Sequence, residues 1–283
     1  MKVEFIYPRY YDLVLHVLAH FKVNNASDLY DEGYIAKMSE ARGRENPAIY
    51  ALQDYYNENY ERLMLINFLP YYCNSYEEMK QNFLSCKRFT AEDLRLFIKP
   101  FIEVLDNESA FFFDYWDAEH AKLSKPEVEK YFAAALEKFS CLVEYFNKPC
   151  RVLFSLVITK NGRGFYSDTH FAALVKFPQD QALRENTFFQ LLHEYTHSFT
   201  DELLQRSINM HDGSHNLSEE VVLYADFLLI KAVDKGLLPA YFEWVGQWYG
   251  DGLNEQDFAG MFGFDEKLNA EIDALINRSL SNA

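Results

Sequence analysis

Basic residues are scarce in this sequence. Its 27 lysines and arginines stand against 43 aspartates and glutamates, which gives a formal net charge of −16. Nucleic-acid phosphates are bound by clusters of Lys and Arg, so this imbalance argues against a nucleic-acid-binding protein. An anionic membrane surface would repel the same charge. We therefore expect neither nucleic acid nor a membrane among the partners of the chain.

Long apolar runs are missing as well. No segment reaches the roughly 18 uninterrupted apolar residues of a membrane-spanning helix, and the N-terminal segment lacks the basic start and apolar stretch of a signal peptide. A cytoplasmic location is the expectation that follows. There the four cysteines would be reduced thiols, and the absence of a C-x-x-C pair argues against a cysteine metal site.

Apolar and aromatic residues are plentiful. They make up 49% and 17% of the 283 residues, which suffices for a sizeable core. Helical periodicity runs through the first half of the chain, and Pro47 suits the first turn of a long helix predicted over 47–68. Thr90 resembles a helix start, because acidic residues follow it and favour the positive end of the helix dipole.

The pattern changes after residue 150. Residues 151–159 are apolar and β-branched, which indicates a buried strand. Asn161-Gly162 then predicts a hairpin turn, with the returning strand or strands in 164–177. Helical patterns resume over 185–206 and over 218–235, where Ser218 is a suitable N-cap.

These patterns predict an α+β protein that is predominantly helical. Residues 1–148 would form a helical N-terminal region, and residues 149–283 a second region with a small β-sheet packed on a helix. The alternative is that both regions form one continuous globular unit. The sequence leaves the oligomeric state open.

The strongest chemical signal is an H-E-x-x-H motif formed by His193, Glu194 and His197. On a helix, residues i and i+4 lie one turn apart on one face, so both imidazoles can bind the same metal ion. Glu194 would be set aside from ligation but close enough to take a proton from a water molecule at the metal. We expect one Zn²⁺ per chain at this site.

A catalytic zinc usually takes a third protein ligand. Glu219 and Glu220 follow His197 by 22 and 23 residues, on the helix predicted from Ser218. We prefer Glu220 as the ligand, with Glu219 as the alternative. A third interpretation makes both of them ordinary first-turn acids that face the helix dipole.

At these residues the sequence resembles the gluzincin metallopeptidases, the thermolysin-like group of zinc peptidases. His193-Glu194-x-x-His197 and a downstream glutamate on its own helix carry the resemblance, over roughly 150–235. The segment HEYTHSF, with Glu220 and Ala225 five residues apart, is similar to a bacterial branch of that group with a helical N-terminal region. The metzincin pattern fails, since Leu203 stands where its third histidine would be.

The resemblance implies a zincin-like catalytic unit in which Glu194 is the general base. It also implies that an edge strand binds the substrate backbone, and 164–177, with Tyr166 and His170, is the candidate segment. The chain departs from the group where an acid should follow the ligand glutamate by four residues. Asp226 is a candidate replacement that would orient a histidine, and Tyr224 is a second candidate near the ligands.

A zinc-dependent metallopeptidase with a peptide or protein substrate is therefore the first functional hypothesis. The alternatives are a non-catalytic binding protein that keeps a zincin scaffold, and a zinc hydrolase of a non-peptide substrate. The hydrogen-bond donor for the transition state is left open among five candidates, which are Tyr166, Tyr224, Tyr241, His211 and His215.

Overall fold

The computed structural model of the chain is predominantly helical with one small β-sheet, which confirms the α+β class. The structure describes residues 3–21, 32–43, 46–145, 148–158, 162–167, 170–181, 183–207 and 214–282. The strands are β1 Val3–Ile6, β2 Cys150–Ser155, β3 Arg163–Tyr166 and β4 Phe171–Lys176. In the described part of the chain, no helix is both long and apolar enough to cross a membrane.

The helices are α1 Arg9–Ala19, α2 Glu32–Arg42, α3 Pro47–Tyr50, α4 Gln53–Glu58, α5 Tyr60–Leu63, α6 Tyr76–Ser85, α7 Ala91–Asp93, α8 Lys99–His120, α9 Lys125–Lys138, α10 Ser140–Tyr145, α11 Leu183–Ser207, α12 Ser214–Val233, α13 Leu238–Tyr249, α14 Glu255–Met261 and α15 Glu266–Asn282. A π-helical turn, Leu94–Ile98, joins α7 to α8, and 3-10 turns occur at Met64–Asn67, Leu69–Tyr72 and Lys235–Leu237.

The chain forms two compact units. A sheet unit comprises residues 1–6, 124–154 and 162–283, and a helical unit comprises residues 7–123 and 155–161. This division differs from the predicted boundary at 148/149, because α9, α10 and β1 belong to the sheet unit. Strand β1 joins that unit through pairing that a scan along the chain cannot detect, since its partner β2 lies nearly 150 residues away.

In the helical unit, the prediction of one long helix over 47–68 is wrong. Short helices and 3-10 turns replace it, and one break falls at Asn59, whose backbone leaves the helical region. The Asn59 side chain donates a hydrogen bond to the carbonyl of Tyr55 at 3.0 Å and accepts one from Arg62 at 2.7 Å. Asparagine competes in this way with the backbone for helical hydrogen bonds, so the helix is interrupted.

The helix start predicted at Thr90 is confirmed by a complete capping box. The Thr90 hydroxyl accepts a hydrogen bond from the Asp93 backbone at 3.0 Å, and the Asp93 carboxylate accepts one from the Thr90 backbone at 2.8 Å. These reciprocal bonds satisfy two backbone donors that a helix terminus otherwise leaves free. The signal is local, which is why the sequence alone could predict it.

A buried carboxylate, Asp12, organises another part of the helical unit. It accepts hydrogen bonds from the Trp116 indole at 2.9 Å, from the Ser155 hydroxyl at 2.5 Å and from the Leu156 backbone at 3.2 Å. A carboxylate without exposure to water needs such partners to offset its lost hydration. Asp12 on α1 therefore ties the segment after β2 to α8.

The strands of the sheet unit follow the order β1-β2-β4-β3. Strands β1 and β2 are parallel, and β3 and β4 form an antiparallel pair in which Gly164 faces Ala173. The predicted hairpin between β2 and β3 at Asn161-Gly162 is therefore wrong, because β4 lies between them. Five of the six residues of β4 are buried, which suits an inner strand, whereas the glycine-containing β3 forms an edge among the described strands.

Helix α11 is the centre of the sheet unit and confirms the helix predicted over 185–206. It packs on β3, β4, α12 and α13, so apolar side chains cover several of its faces. Tyr195 meets Phe171 of β4 edge to face at 4.6 Å between ring centroids. The buried Gln190 accepts a hydrogen bond from the Lys176 backbone at 3.0 Å, which holds the end of β4. These contacts fix the helix that carries the histidine motif.

Candidate metal centre

His193 and His197 point to one spot beside α11. Their Nε2 atoms lie 3.2 Å apart, and their rings are nearly perpendicular, with centroids 4.7 Å apart. This convergence follows from the local geometry of a helix, because residues i and i+4 share a face. The two ring nitrogens can therefore face one cation.

Glu219 of α12 brings a carboxylate to the same spot. Its Oε2 lies 3.1 Å from Nε2 of His193, and its Oε1 lies 3.4 Å from Nε2 of His197. Within the described residues, His193, His197 and Glu219 form the group whose ligand atoms all lie within 4.8 Å of one another. The structure thus brings Glu219 to the histidines, and not Glu220, which was preferred from the sequence.

The packing of α12 on α11 explains why Glu219 lies at the histidines, and not Glu220, which the sequence analysis preferred. Helix α12 begins at Ser214 and not at Ser218, so both glutamates lie in the second turn and not among the first-turn acids. Adjacent residues on a helix point about 100° apart. Only one of the two can face the histidines, and packing selects Glu219.

The donor set and the spacing fit a zinc ion. Ligands at about 2.0–2.1 Å from a tetrahedral ion are about 3.3 Å from one another. The 3.2 Å between the two Nε2 atoms and the 3.1 Å from Nε2 of His193 to Oε2 of Glu219 match that edge length, while the other carboxylate oxygen, Oε1, lies 3.4 Å from Nε2 of His197. Two imidazoles and one carboxylate are also a donor set found in catalytic zinc sites. These residues could therefore hold one zinc ion.

The cluster is reachable from solvent. The side chains of His197 and Glu219 are 28% and 34% exposed, whereas that of His193 is 13% exposed. A structural zinc site is usually closed by four protein ligands, and a catalytic one keeps a position open. Among the described residues three ligands converge, and the exposed side of the cluster leaves a position that water or a substrate could reach.

Comparison of the chain with protein-family models, with curated proteins and with solved structures finds no match.

Asp226 of α12 orients His193 from the side opposite the cluster. Its carboxylate is fully buried and accepts a hydrogen bond from Nδ1 of His193 at 3.1 Å, which leaves Nε2 to face His197 and Glu219. Burial alone would lower the pKa of His193, but the hydrogen bonds with Asp226 and Glu219 outweigh it and raise this pKa to about 10. The surroundings of His193 thus favour positive charge, which is what a cation site requires.

Glu194 lies against β3, and the charges of His193 and His197 act on its carboxylate. Its side chain is buried, and the backbone N–H of Gly164 donates a hydrogen bond to its carboxylate. Burial is the main effect on the pKa of Glu194 and raises it, while His193 and His197 act in the opposite direction. A carboxylate in such surroundings is suited to accept a proton.

Two glycines allow β3 to approach Glu194 so closely. A Cβ atom at Gly162 would lie 2.7 Å from Cγ of Glu194, and one at Gly164 would lie 3.2 Å from the Glu194 carbonyl oxygen. Any side chain at Gly162 would therefore displace Glu194. The Gly162-Arg163-Gly164 pattern at the start of a strand is a sequence signal for such close approach.

The structure shows the surroundings of other predicted residues. Tyr224 packs on Phe262 and Phe264, with ring centroids 6.3 and 5.8 Å away, and its place near the ligands stays a prediction. His170 lies in the turn between β3 and β4, where its Nε2 is 3.3 Å from Nη1 of Arg151. It therefore follows the edge strand and does not lie on it.

Three further residues were candidates for the hydrogen-bond donor to the transition state, besides Tyr224 and Tyr241. The structure does not describe their side chains. Tyr241 is buried and donates to the Leu223 carbonyl at 2.8 Å, so its hydroxyl is already used. Tyr166 ends β3, but the described part of the chain does not include its side chain or that of His215. His211 lies outside the described residues.

Aromatic residues of α13 border the site and were missed from the sequence. The Trp244 ring lies 5.9 Å from the His193 ring, and Trp248 packs edge to face on Trp244 at 4.8 Å. Tyr249 follows; it is 44% exposed and packs edge to face on Phe262 at 6.2 Å. The spacing of the two tryptophans, i and i+4, indicates a shared helix face, but only the packing of α13 on α11 places that face beside the histidines.

Proposed function

We propose that this protein is a zinc-dependent metallopeptidase with a zincin-like catalytic unit. The observation that carries the proposal is the convergence of His193, His197 and Glu219 at distances of 3.1–3.4 Å. Glu194 directly follows His193 on α11, and the charges of both histidines act on its carboxylate. When bound, zinc supplies Lewis acidity, which polarises a carbonyl group and makes a water molecule more acidic. The residues of the chain supply orientation and proton transfer.

Each residue has a separate task in this proposal. His193, His197 and Glu219 hold the metal ion, and Asp226 keeps His193 in the tautomer whose Nε2 is free to bind it. Glu194 accepts a proton from the attacking water and returns it to the leaving amine. The Gly164 backbone N–H holds the Glu194 carboxylate in place for both transfers.

The position of β3 supports a peptide as the substrate. It is an edge strand of the described sheet, and Gly164 within it and Gly162 just before it lie against Glu194. An exposed strand edge offers unpaired backbone groups, to which an extended peptide can add as a further strand. A peptide bound there would pass beside the proposed general base.

Metal analysis together with a Glu194→Gln variant tests the proposal. We expect purified protein to hold about one zinc ion per chain, and wild-type protein to cleave members of a peptide library. Glu194→Gln should retain zinc and lose at least about a hundredfold in kcat, as expected for removal of a general base.

Each alternative function has its own outcome in this experiment. Protein that holds no zinc, even after zinc is supplied, would contradict the proposal. Zinc binding without hydrolysis of any peptide would favour a binding protein on a zincin scaffold. Glu194-dependent hydrolysis of esters or other non-peptide compounds alone would favour a different zinc hydrolase.

A further inference from the structure

A surface beside the proposed zinc ligands combines exposed aromatic rings with a free carboxylate. Trp248 and Tyr249 are 39% and 44% exposed, and they are two of the three large apolar side chains with such exposure among the described residues. Buried aromatic residues dominate the rest of this protein, so two neighbouring exposed rings at one helix end are unusual here.

The aromatic surface is connected to the metal cluster through direct ring contacts. Trp248 packs on Trp244 at 4.8 Å between centroids, and Trp244 packs on His193 at 5.9 Å. Trp244 is nearly buried, so it supports the exposed Trp248 ring from behind. The exposed Trp248 indole is therefore connected through Trp244 to His193, a proposed zinc ligand. The buried Trp244 holds it in place.

Carboxylates lie beside the same surface. Tyr249 packs edge to face on Phe262 at 6.2 Å between ring centroids, and Phe262 meets Tyr224 at 6.3 Å, one helical turn after Glu220 on α12. Burial and then the charges of Glu220 and Glu219 raise the pKa of Tyr249. The Glu219 carboxylate already contacts His193 and His197. Within the described residues Glu220 makes no hydrogen bond and no ion pair, and its side chain is partly exposed.

Exposed aromatic faces next to a free carboxylate favour a cation. The face of an indole or phenol ring attracts an ammonium or guanidinium group, and the carboxylate adds an ion pair. A purely apolar side chain would gain from the rings but would have to remove water from Glu220 without a compensating charge. The surface therefore discriminates in favour of a basic side chain.

We propose that Glu220, Trp248 and Tyr249 form a subsite that binds a lysine or arginine side chain of the peptide substrate. This inference rests on the proposed peptidase function. Glu220 directly follows the proposed ligand Glu219, and consecutive Cα atoms are about 3.8 Å apart. A side chain held by Glu220 therefore belongs to a residue close to the scissile bond.

Peptides that differ in one residue test the subsite. Two series carry Arg, citrulline, norleucine or Ala on one or the other side of the cleaved bond. Citrulline keeps the shape of arginine and lacks its charge. We expect kcat/KM for Arg to exceed that for citrulline at least about threefold in one series, as exposed cation–π and ion-pair contacts allow. A higher salt concentration should reduce the ratio of kcat/KM for the Arg peptide to that for the citrulline peptide, because salt screens the charges.

Variants identify the residues that are responsible. Glu220→Gln should abolish the preference for Arg over citrulline, and Trp248→Ala should lower it. Glu243→Gln is the matched control, because it removes one exposed acid from α13 and should leave the ratio unchanged. Equal values for Arg and citrulline in both series, or a preference for norleucine over Arg, would overturn the proposal.

Binding measurements separate this inference from the proposed function. Calorimetric titration of zinc-loaded Glu194→Gln with the same peptides requires no turnover. If wild-type protein cleaves nothing but the Arg peptide still binds more tightly than the citrulline peptide, the subsite stands and the peptidase proposal fails. If wild-type protein cleaves peptides but the Arg and citrulline peptides bind equally to Glu194→Gln, with or without Glu220→Gln, the subsite fails and the peptidase proposal stands.

Discussion

The buried carboxylate of Asp226 lies 3.1 Å from Nδ1 of His193, whereas Nε2 on the other side of the imidazole faces His197 and Glu219. This hydrogen bond fixes both the ring orientation and the nitrogen that faces Glu219. Partners of this kind commonly contribute 10- to 100-fold to metal affinity. Two helices are needed to form it, since His193 lies on α11 and Asp226 on α12.

Asp226→Asn should weaken zinc binding by about 10- to 100-fold, because the amide cannot stabilise the histidine as a carboxylate does. Competition with a chromophoric chelator measures the affinity. Asp273→Asn, an exposed acid on α15, is the matched control and should bind zinc like wild type. Unchanged affinity in Asp226→Asn, with its fold intact by circular dichroism, would remove Asp226 from the site.

The two neighbouring glutamates give a direct test of the third ligand. Glu219→Gln should lose zinc under conditions in which wild-type protein retains it, because the amide oxygen carries no charge for the cation. Glu220→Gln should retain the metal, since its carboxylate is not part of the cluster of ligand atoms. The measurement is zinc content after dialysis, and the reverse result would assign the ligand to Glu220.

Gly162→Ala should impair hydrolysis without loss of zinc. The new Cβ atom would lie 2.7 Å from Cγ of Glu194, so the proposed general base would have to move. A displacement of this size near the reacting atoms can cost about a hundredfold in rate. Gly263→Ala, where a Cβ atom meets nothing within 4 Å, serves as the control. Wild-type kcat in Gly162→Ala would show that the glycine is dispensable.

The helical unit should be sensitive to acid through Glu108 and His16. Burial alone would raise the pKa of Glu108, but hydrogen bonds from His16, Arg42 and Asn46 outweigh it and lower this pKa to about 2. Burial lowers the pKa of His16 to about 4, although Glu108 acts in the opposite direction. Both groups therefore bind protons less readily in the folded than in the unfolded chain.

The sign of the effect is the same for both groups. The pKa difference of His16 reduces the free energy of unfolding as the pH falls from about 6.5 to about 4. That of Glu108 reduces it as the pH falls from about 4.5 toward 2. At about 1.4 kcal/mol per pKa unit, each shift corresponds to about 3 kcal/mol. Unfolding free energies at several pH values should decrease accordingly.

Glu108→Gln isolates one of these two contributions. It should lower stability at pH 7 and flatten the pH dependence below pH 5, because the variant has no carboxylate to titrate. Glu103→Gln, which removes an exposed acid from the same helix, should keep the wild-type profile. An unchanged profile in Glu108→Gln would assign the acid sensitivity to other groups.

Local signals were the ones that the sequence could predict. The H-E-x-x-H motif places His193 and His197 on one face through helix geometry alone, and the observed distance of 3.2 Å between their Nε2 atoms follows from it. Thr90 and Asp93 form their capping box within three residues. In both cases the interacting groups are separated by less than two turns, so spacing along the chain is enough.

Tertiary packing decided the rest. Whether Glu219 or Glu220 reaches the histidines depends on the rotation of α12 against α11, and a step of one residue changes the direction by about 100°. The order of the strands and the approach of Gly164 to Glu194 depend on contacts between distant segments. By itself the sequence determined the helix, its two histidines and its adjacent carboxylate, because these depend on local backbone geometry. Only the packed structure decided which carboxylate joins them and which surface borders them, because those are set by the docking of whole helices and strands.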